Sequence, residues 1–187
     1  MIGGTTVNRE EMSDNIALAS ITVGKILNAI GQTPLEHLDR ETQDDLVFAG
    51  SLIQVAAGSL LIDLFSEDSV ARLGLALNFI GYGTFAIQFI NDEDDDRKLL
   101  VQTMSANLKE VLGNMVLVSD PKAWRRMYVI IGRIMVCLGN FLEAQGRKRL
   151  LDAGGDYTLS DPMVTAGTWT EACGMLIILL GNLVETT

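Results

Sequence analysis

The sequence predicts an all-α protein, a six-helix antiparallel bundle, and three observations lead there. Six segments repeat one pattern, a small residue followed seven positions later by Gly, with an aliphatic residue or Ala just before that Gly: residues 24–31, 51–58, 74–81, 106–113, 132–139 and 174–181. Turn and cap signals fall between the copies, so each copy belongs to one helix. No stretch alternates apolar and polar residues with period two over a useful length, which leaves no candidate for a sheet. Glycine inside a helix costs about 1 kcal/mol relative to alanine. Close approach of two backbones, with flanking Leu and Ile interlocking, offsets that cost. The bundle is therefore expected to be six tandem helical repeats with heptad-spaced Gly at close helix contacts.

The first helix is expected over 8–31 and stops before Thr33-Pro34, because the residue preceding a proline is pushed out of the α region. The second is expected over 40–65, after a connector containing Leu35, Glu36 and His37. The third, 69–91, follows the break Ser66-Glu67-Asp68-Ser69. The fourth, 95–118, starts inside the acidic run 92–96, where carboxylates favour a helix N-terminus and Arg97 and Lys98 follow to pair with them. The fifth, 121–147, and the sixth, 161–185, each open on Ser-Asp-Pro, with Asp120 and Asp161 as N-caps and Pro121 and Pro162 at the first helical position. Between them, residues 146–160 form the most irregular loop, marked by glycines and charges. With short connections, consecutive helices are antiparallel neighbours.

Counting the motif Gly as position a, the b and e positions share one face. They are polar or charged in the first helix (Lys25, Asn28) and the fourth (Asn107, Glu110), and mixed in the fifth (Arg133, Val136). These three helices are expected to show a wet face. The third and sixth are apolar nearly all round and are expected to be central, burying Ala76, Phe79, Ile80 and Phe85 together with Leu176, Ile177 and Leu180. Asn114, Asn140 and Asn182 each follow a motif Gly, with Gln32 in the matching place. An interhelical amide ladder is one reading of them; a position on the wetter face is the one the heptad geometry favours.

The 187 residues make one domain, 1–187, with a substantial core. Hydrophobic residues reach 48% and mean hydropathy is +0.27 with few aromatics, so aliphatic residues, Gly and Ala must build that core. Net charge is −10, and residues 1–120 carry 18 acids against 7 bases. An acidic chain without a basic stripe argues against nucleic acid or anionic lipid headgroups as the primary partner. Cys137 and Cys173 sit in apolar helical stretches and read as buried thiols. The N-terminus lacks a basic region followed by an apolar core, so no signal peptide is expected and the location is expected to be cytoplasmic.

The chemical inventory is thin. Counted from Asp92, the acidic run fails a calcium-loop pattern, with Arg97 at the sixth position where Gly is needed and Thr103 at the twelfth where Glu is needed. His37 is the lone histidine, so neither a Ser-His nor a Cys-His pair is supported. Gly81-Tyr82-Gly83 follows no strand and reads as helix packing. Trp124 and Trp169 stand near helix starts and read as anchors of the bundle ends. Arg125 and Arg126 open the fifth helix and call for an acidic partner, while Arg147, Lys148 and Arg149 close it as the helix dipole favours. No catalytic, cofactor-binding or metal-binding residues are expected, and no enzymatic activity.

The strings Leu112-Gly113-Asn114, Leu138-Gly139-Asn140 and Leu180-Gly181-Asn182 make the chain resemble an uncharacterised family of repetitive all-helical proteins of Bacillus-type Gram-positive bacteria. The resemblance implies a lineage and an internal repeat, and no activity. Repeated helices that bury one another's faces are most often interaction surfaces. The expected function is thus a non-enzymatic interaction or structural module, self-associating or bound to a protein partner. A membrane-active protein that is soluble until triggered is the first alternative, since residues 73–90 hold no charge. A helical bundle holding a small apolar ligand is the other.

Overall fold

The computed structural model describes residues 9–65, 67–90, 95–156 and 161–185. Asp92 to Asp94, most of the acidic run, lie outside the described residues, as do residues 1–8. The six α-helices are α1 (Arg9–Gly31), α2 (Arg40–Leu64), α3 (Ser69–Ile90), α4 (Asp96–Ser119), α5 (Met127–Asp152) and α6 (Pro162–Glu185).

Aspartates start four of them. The Asp39 carboxylate accepts from the Thr42 amide at 2.7 Å, Asp68 from the Val70 and Ala71 amides, Asp95 from Arg97 and Lys98, and Asp161 from Met163 at 2.8 Å. Each satisfies amides that the first helical turn leaves without a partner. Ser-Asp-Pro behaves as expected before α6 and differently before α5. Asp120 accepts from the Lys122 amide at 2.9 Å in the turn that leads into a short 3-10 helix, Ala123–Arg125, which itself has no side-chain cap. Arg126 is then extended, and α5 begins at Met127. At its other end α5 runs past the basic cluster to Asp152. A Schellman motif closes it, in which the Gly154 amide donates to Leu151 O and the Gly155 amide to Leu150 O, with Gly154 at φ 139°.

Each helix packs on its neighbours in sequence and α6 returns to α1, so the six antiparallel helices close into a ring. No helix is central: α3 packs between α2 and α4, and α6 between α5 and α1. The expectation for the third and sixth helices is corrected accordingly. Phe85 is buried, but Ile80, Leu176 and Leu180 face outward, with Ile80 50% exposed. Their apolar surplus lies on the outer surface because a ring of sequential neighbours leaves every helix one uncovered face.

Glycines mark the tightest contacts, and they fall within three hairpins. A Cβ on Gly24 would lie 2.6 Å from Gly50 O, one on Gly74 2.8 Å from Gly113 O, and one on Gly132 2.5 Å from Gly174 O. A second tier repeats this, with Gly31 against Gln43 O, Gly81 against Ala106 O and Gly139 against Gly167 O.

Polarity is reversed relative to an ordinary soluble bundle. Facing outward are Ile16 and Val23 of α1, Leu52 and Leu60 of α2, Leu73 and Ile87 of α3, Leu108 and Leu112 of α4, Ile134 and Leu138 of α5, and Leu183 of α6. Facing inward are Lys25, Gln54, Asn78, Asn107, Glu110, Asn140, Glu143, Arg147 and Glu171. The wet faces expected on the first and fourth helices are therefore the buried ones. Cys173 corrects another expectation, being exposed on the outside of α6, while Cys137 is partly buried.

Candidate functional site

The charges that matter for chemistry are isolated in the sequence and meet only in the ring. Lys25 is the single charged residue between Asp14 and Glu36, and Glu171 the single one in residues 162–184. A motif glycine precedes Lys25 directly, and Glu110 stands three residues before the motif glycine Gly113. Helix geometry turns the faces beside those glycines toward the neighbouring helices and hence toward the ring axis.

Near mid-depth the Lys25 Nζ donates to Glu110 Oε2 at 2.6 Å and to Glu171 Oε2 at 2.5 Å. The three side chains are 5%, 0% and 2% exposed. Lys25 and Glu110 come from α1 and α4, which do not pack on each other, so this ion pair reaches across the ring interior. The same ammonium sits 5.2 Å from the centre of the Tyr82 ring, a cation–π distance. Glu143 of α5 adds its field to both carboxylates, and the Asn140 amide lies beside Glu110. Glu143 in turn is 3.6 Å from Arg147, which also bonds Gln32 of α1.

Acceptors outnumber donors in this layer. Glu110 Oε1 and Glu171 Oε1 are buried with no hydrogen-bond partner, as are Asn140 Oδ1 and both amide atoms of Asn107. Asn140 Nδ2 is used within α5, donating to Val136 O at 3.0 Å. Two carboxylates against one ammonium leave the cluster one negative charge in excess.

The two halves of the interior differ. Toward the end where α1, α3 and α5 start, the filling is mostly apolar: Leu18, Ile21, Leu61, Leu75, Leu117, Val129, Met175 and Ile178. Asn78 and Asn114 bond there at 3.2 Å, and Arg133 reaches Asn114 at 3.4 Å. Asn182 of α6 joins Asp14 and Asn15 of α1 and accepts from Arg126 at the rim. Toward the other end buried polar groups, Asn107, Glu143, Arg147 and a Thr103–Gln88 bond of 3.1 Å, mix with buried Val47, Phe85, Leu100, Leu150 and Val164.

The amide positions after the motif glycines thus face inward, and three of them bond between helices, which decides for the ladder and against the wetter outer face. Arg126 finds its partners inside the chain. His37 is exposed in the α1–α2 connector, and among the described residues no group of three or more His, Cys, Asp or Glu is placed to hold a metal ion. Trp124 is 67% exposed rather than anchored, whereas the Trp169 indole donates to Thr33 at 3.0 Å and ties α6 to the end of α1. The sequence reading missed the Lys25 cluster. The available signal was a lone charge in a long uncharged stretch, which spacing within one helix cannot pair with partners on α4 and α6.

Four helices are long and apolar enough to cross a membrane: Arg40–Leu64, Ser69–Ile90, Met127–Asp152 and Pro162–Val184. A family model described as a family of unknown function, DUF6944, matches residues 14–179, most of the chain. No curated protein and no solved structure matches it.

Proposed function

The chain belongs to DUF6944, a family of unknown function, and from that premise we propose that it is a non-enzymatic integral membrane protein whose six helices span the bilayer as a ring, with lipid outside and a polar ligand site inside. The observation that carries this reading is the reversed polarity: all six outer faces are apolar while Lys25, Glu110, Glu143, Arg147 and Glu171 are buried. Helices of 22 to 26 residues are about 33–39 Å long at 1.5 Å per residue, enough for a hydrocarbon core of about 30 Å. Small residues at helix contacts are what lipid-embedded helices use in place of hydrophobic association. Charged side chains at membrane depth face a bundle interior and pair with one another, and mark a ligand or ion site.

The three glycine-faced hairpins support reading the repeat as three two-helix units around an axis along the membrane normal, rather than six one-helix units. Gly31, Gly81 and Gly139 are equivalent in it, and each meets Val47, Glu110 or Glu171. Two of three units therefore supply a carboxylate.

Fractionation tests the reading against the cytoplasmic expectation. The protein is expected to sediment with membranes, to resist alkaline carbonate and to leave with detergent. A monodisperse protein in detergent-free buffer overturns it. A self-associating soluble module is the second reading, favoured by α1 and α4, which are absent from the four membrane-length helices. It requires copies that cover apolar faces all round the ring, and the mass in detergent-free solution would reveal them.

A further inference from the structure

We propose that the Lys25–Glu110–Glu171 cluster is a proton-binding site that holds one exchangeable proton on its two carboxylates. The inference deepens the membrane reading by naming the ligand, and rests on it for the setting. Its footing is the imbalance at the cluster. One ammonium faces two carboxylates, each nearly fully buried, and each carboxylate has its second oxygen without a donor. Asn140, itself fully buried, lies beside Glu110 with its own Oδ1 unpartnered. Buried acceptors facing one another are costly until a hydrogen stands between them. One added proton makes the cluster neutral and supplies that hydrogen. Lys25 already gives two of its three ammonium hydrogens to the Oε2 atoms of these carboxylates.

Charged and titratable groups face the cluster from most of the packed elements. From α1 comes Lys25, from α3 Tyr82, from α5 Glu143 together with Arg133 and Cys137, and from α6 Glu171. The buried residues of α2 are Val47, Gly50, Ser51, Gln54, Ala57, Gly58 and Leu61, and none is charged. Glu143 is matched by Arg147, so the excess negative charge stays with Glu110 and Glu171. On binding, a hydronium ion gives up its proton and leaves as water, an O–H bond forms on one carboxylate, and the cluster charge goes from −1 to 0. Lys25 then keeps a full ion pair with one helix only, α4 or α6.

Infrared difference spectra of the purified full-length protein in nanodiscs, titrated between about pH 4 and about pH 9, test this. Wild type is expected to show one carboxylic-acid band that appears with acid. Glu110→Gln and Glu171→Gln each leave Lys25 one carboxylate and should each abolish it. Lys25→Met removes the ammonium and should move the titration up by at least about one pH unit. A wild type without the band, or a band that survives in both Gln variants, overturns the site whether or not any variant folds poorly. A titration displaced by sodium replacing choline at constant ionic strength shows a metal-cation site instead and also overturns it. The band in a protein that carbonate extracts from membranes would sink the membrane reading and leave the cluster standing.

Discussion

At Gly139 a single added carbon decides between two opposed effects. Replacing glycine in a helix stabilises by about 1 kcal/mol from propensity alone, but a Cβ there would lie 2.5 Å from Glu171 Cγ and 2.6 Å from Gly167 O. Backbone cannot give way as a side-chain tip can, so Gly139→Leu is expected to destabilise by more than the ~1–3 kcal/mol typical of overpacking. Gly83 is the control, since nothing lies within 4 Å of its Cβ position, and Gly83→Ala should leave the unfolding midpoint unchanged or raised. A higher midpoint for Gly139→Leu would refute close packing at this contact. A second residue-scale prediction concerns Asp68. The Lys122 ammonium at 2.7 Å, and then the Ala71 amide, hold its carboxyl below the ordinary value of 3.8. A depressed carboxylate stabilises fully above its ordinary pKa and loses that contribution as pH falls through the folded value. The gap in stability between wild type and Asp68→Asn, which keeps the cap and removes the charge, should therefore close as pH falls from about 6 to about 2. A gap that stays constant over that range would show that the charge contributes nothing.

Whole elements obey caps more faithfully than they obey hydrophobic faces. The Asp161 cap and the acidic start of α4 were legible in the sequence, whereas Asp39 and Asp68 were not read as caps; helix ends came out within a few residues for α1, α2, α3, α4 and α6. The start of α5 did not, because Asp120 spends its carboxylate on a separate turn. Asp95 is the described remnant of the acidic run, and Asp95→Ala should cost α4 about 1 kcal/mol, read as a lower unfolding midpoint without loss of assembly. An unchanged midpoint would mean that Arg97 and Lys98 amides find other acceptors. Face assignment failed for a definite reason. Amphipathicity reports that two faces differ and not which one meets the solvent, so the Lys25, Asn28 and Glu110 face reads equally as wet or as interior.

For the molecule as a whole, Cys173 offers a test that needs no substitution. It is exposed on the outer surface of α6, in the same outward row as Trp169, Leu176 and Leu180. In the proposed membrane setting this thiol faces hydrocarbon, where thiolate does not form and a charged maleimide does not reach. Intact membranes should leave Cys173 unlabelled, and denaturation in detergent should expose it. Rapid labelling of the native protein in membranes would place that face in water. A complementary change is Leu138→Arg on the outer face of α5, expected to cost membrane insertion on the order of 2.5–3.5 kcal/mol and to lower the membrane-integrated fraction. A soluble ring would tolerate it.

The sequence by itself determined the all-helical class, the six helices and the Asp161 cap, because these follow from local propensity and from spacing within one helix. Gly132 and Gly139 could be read as contact points without knowing that Gly174 and Gly167 face them. Tertiary structure alone decided that the helices close into a ring, that the apolar faces of α3 and α6 lie outside, and that Lys25, Glu110 and Glu171 meet. The reason is separation: Lys25 and Glu171 lie 146 positions apart in the chain, and only closure of α6 onto α1 and the span across the interior to α4 bring one ammonium to two carboxylates.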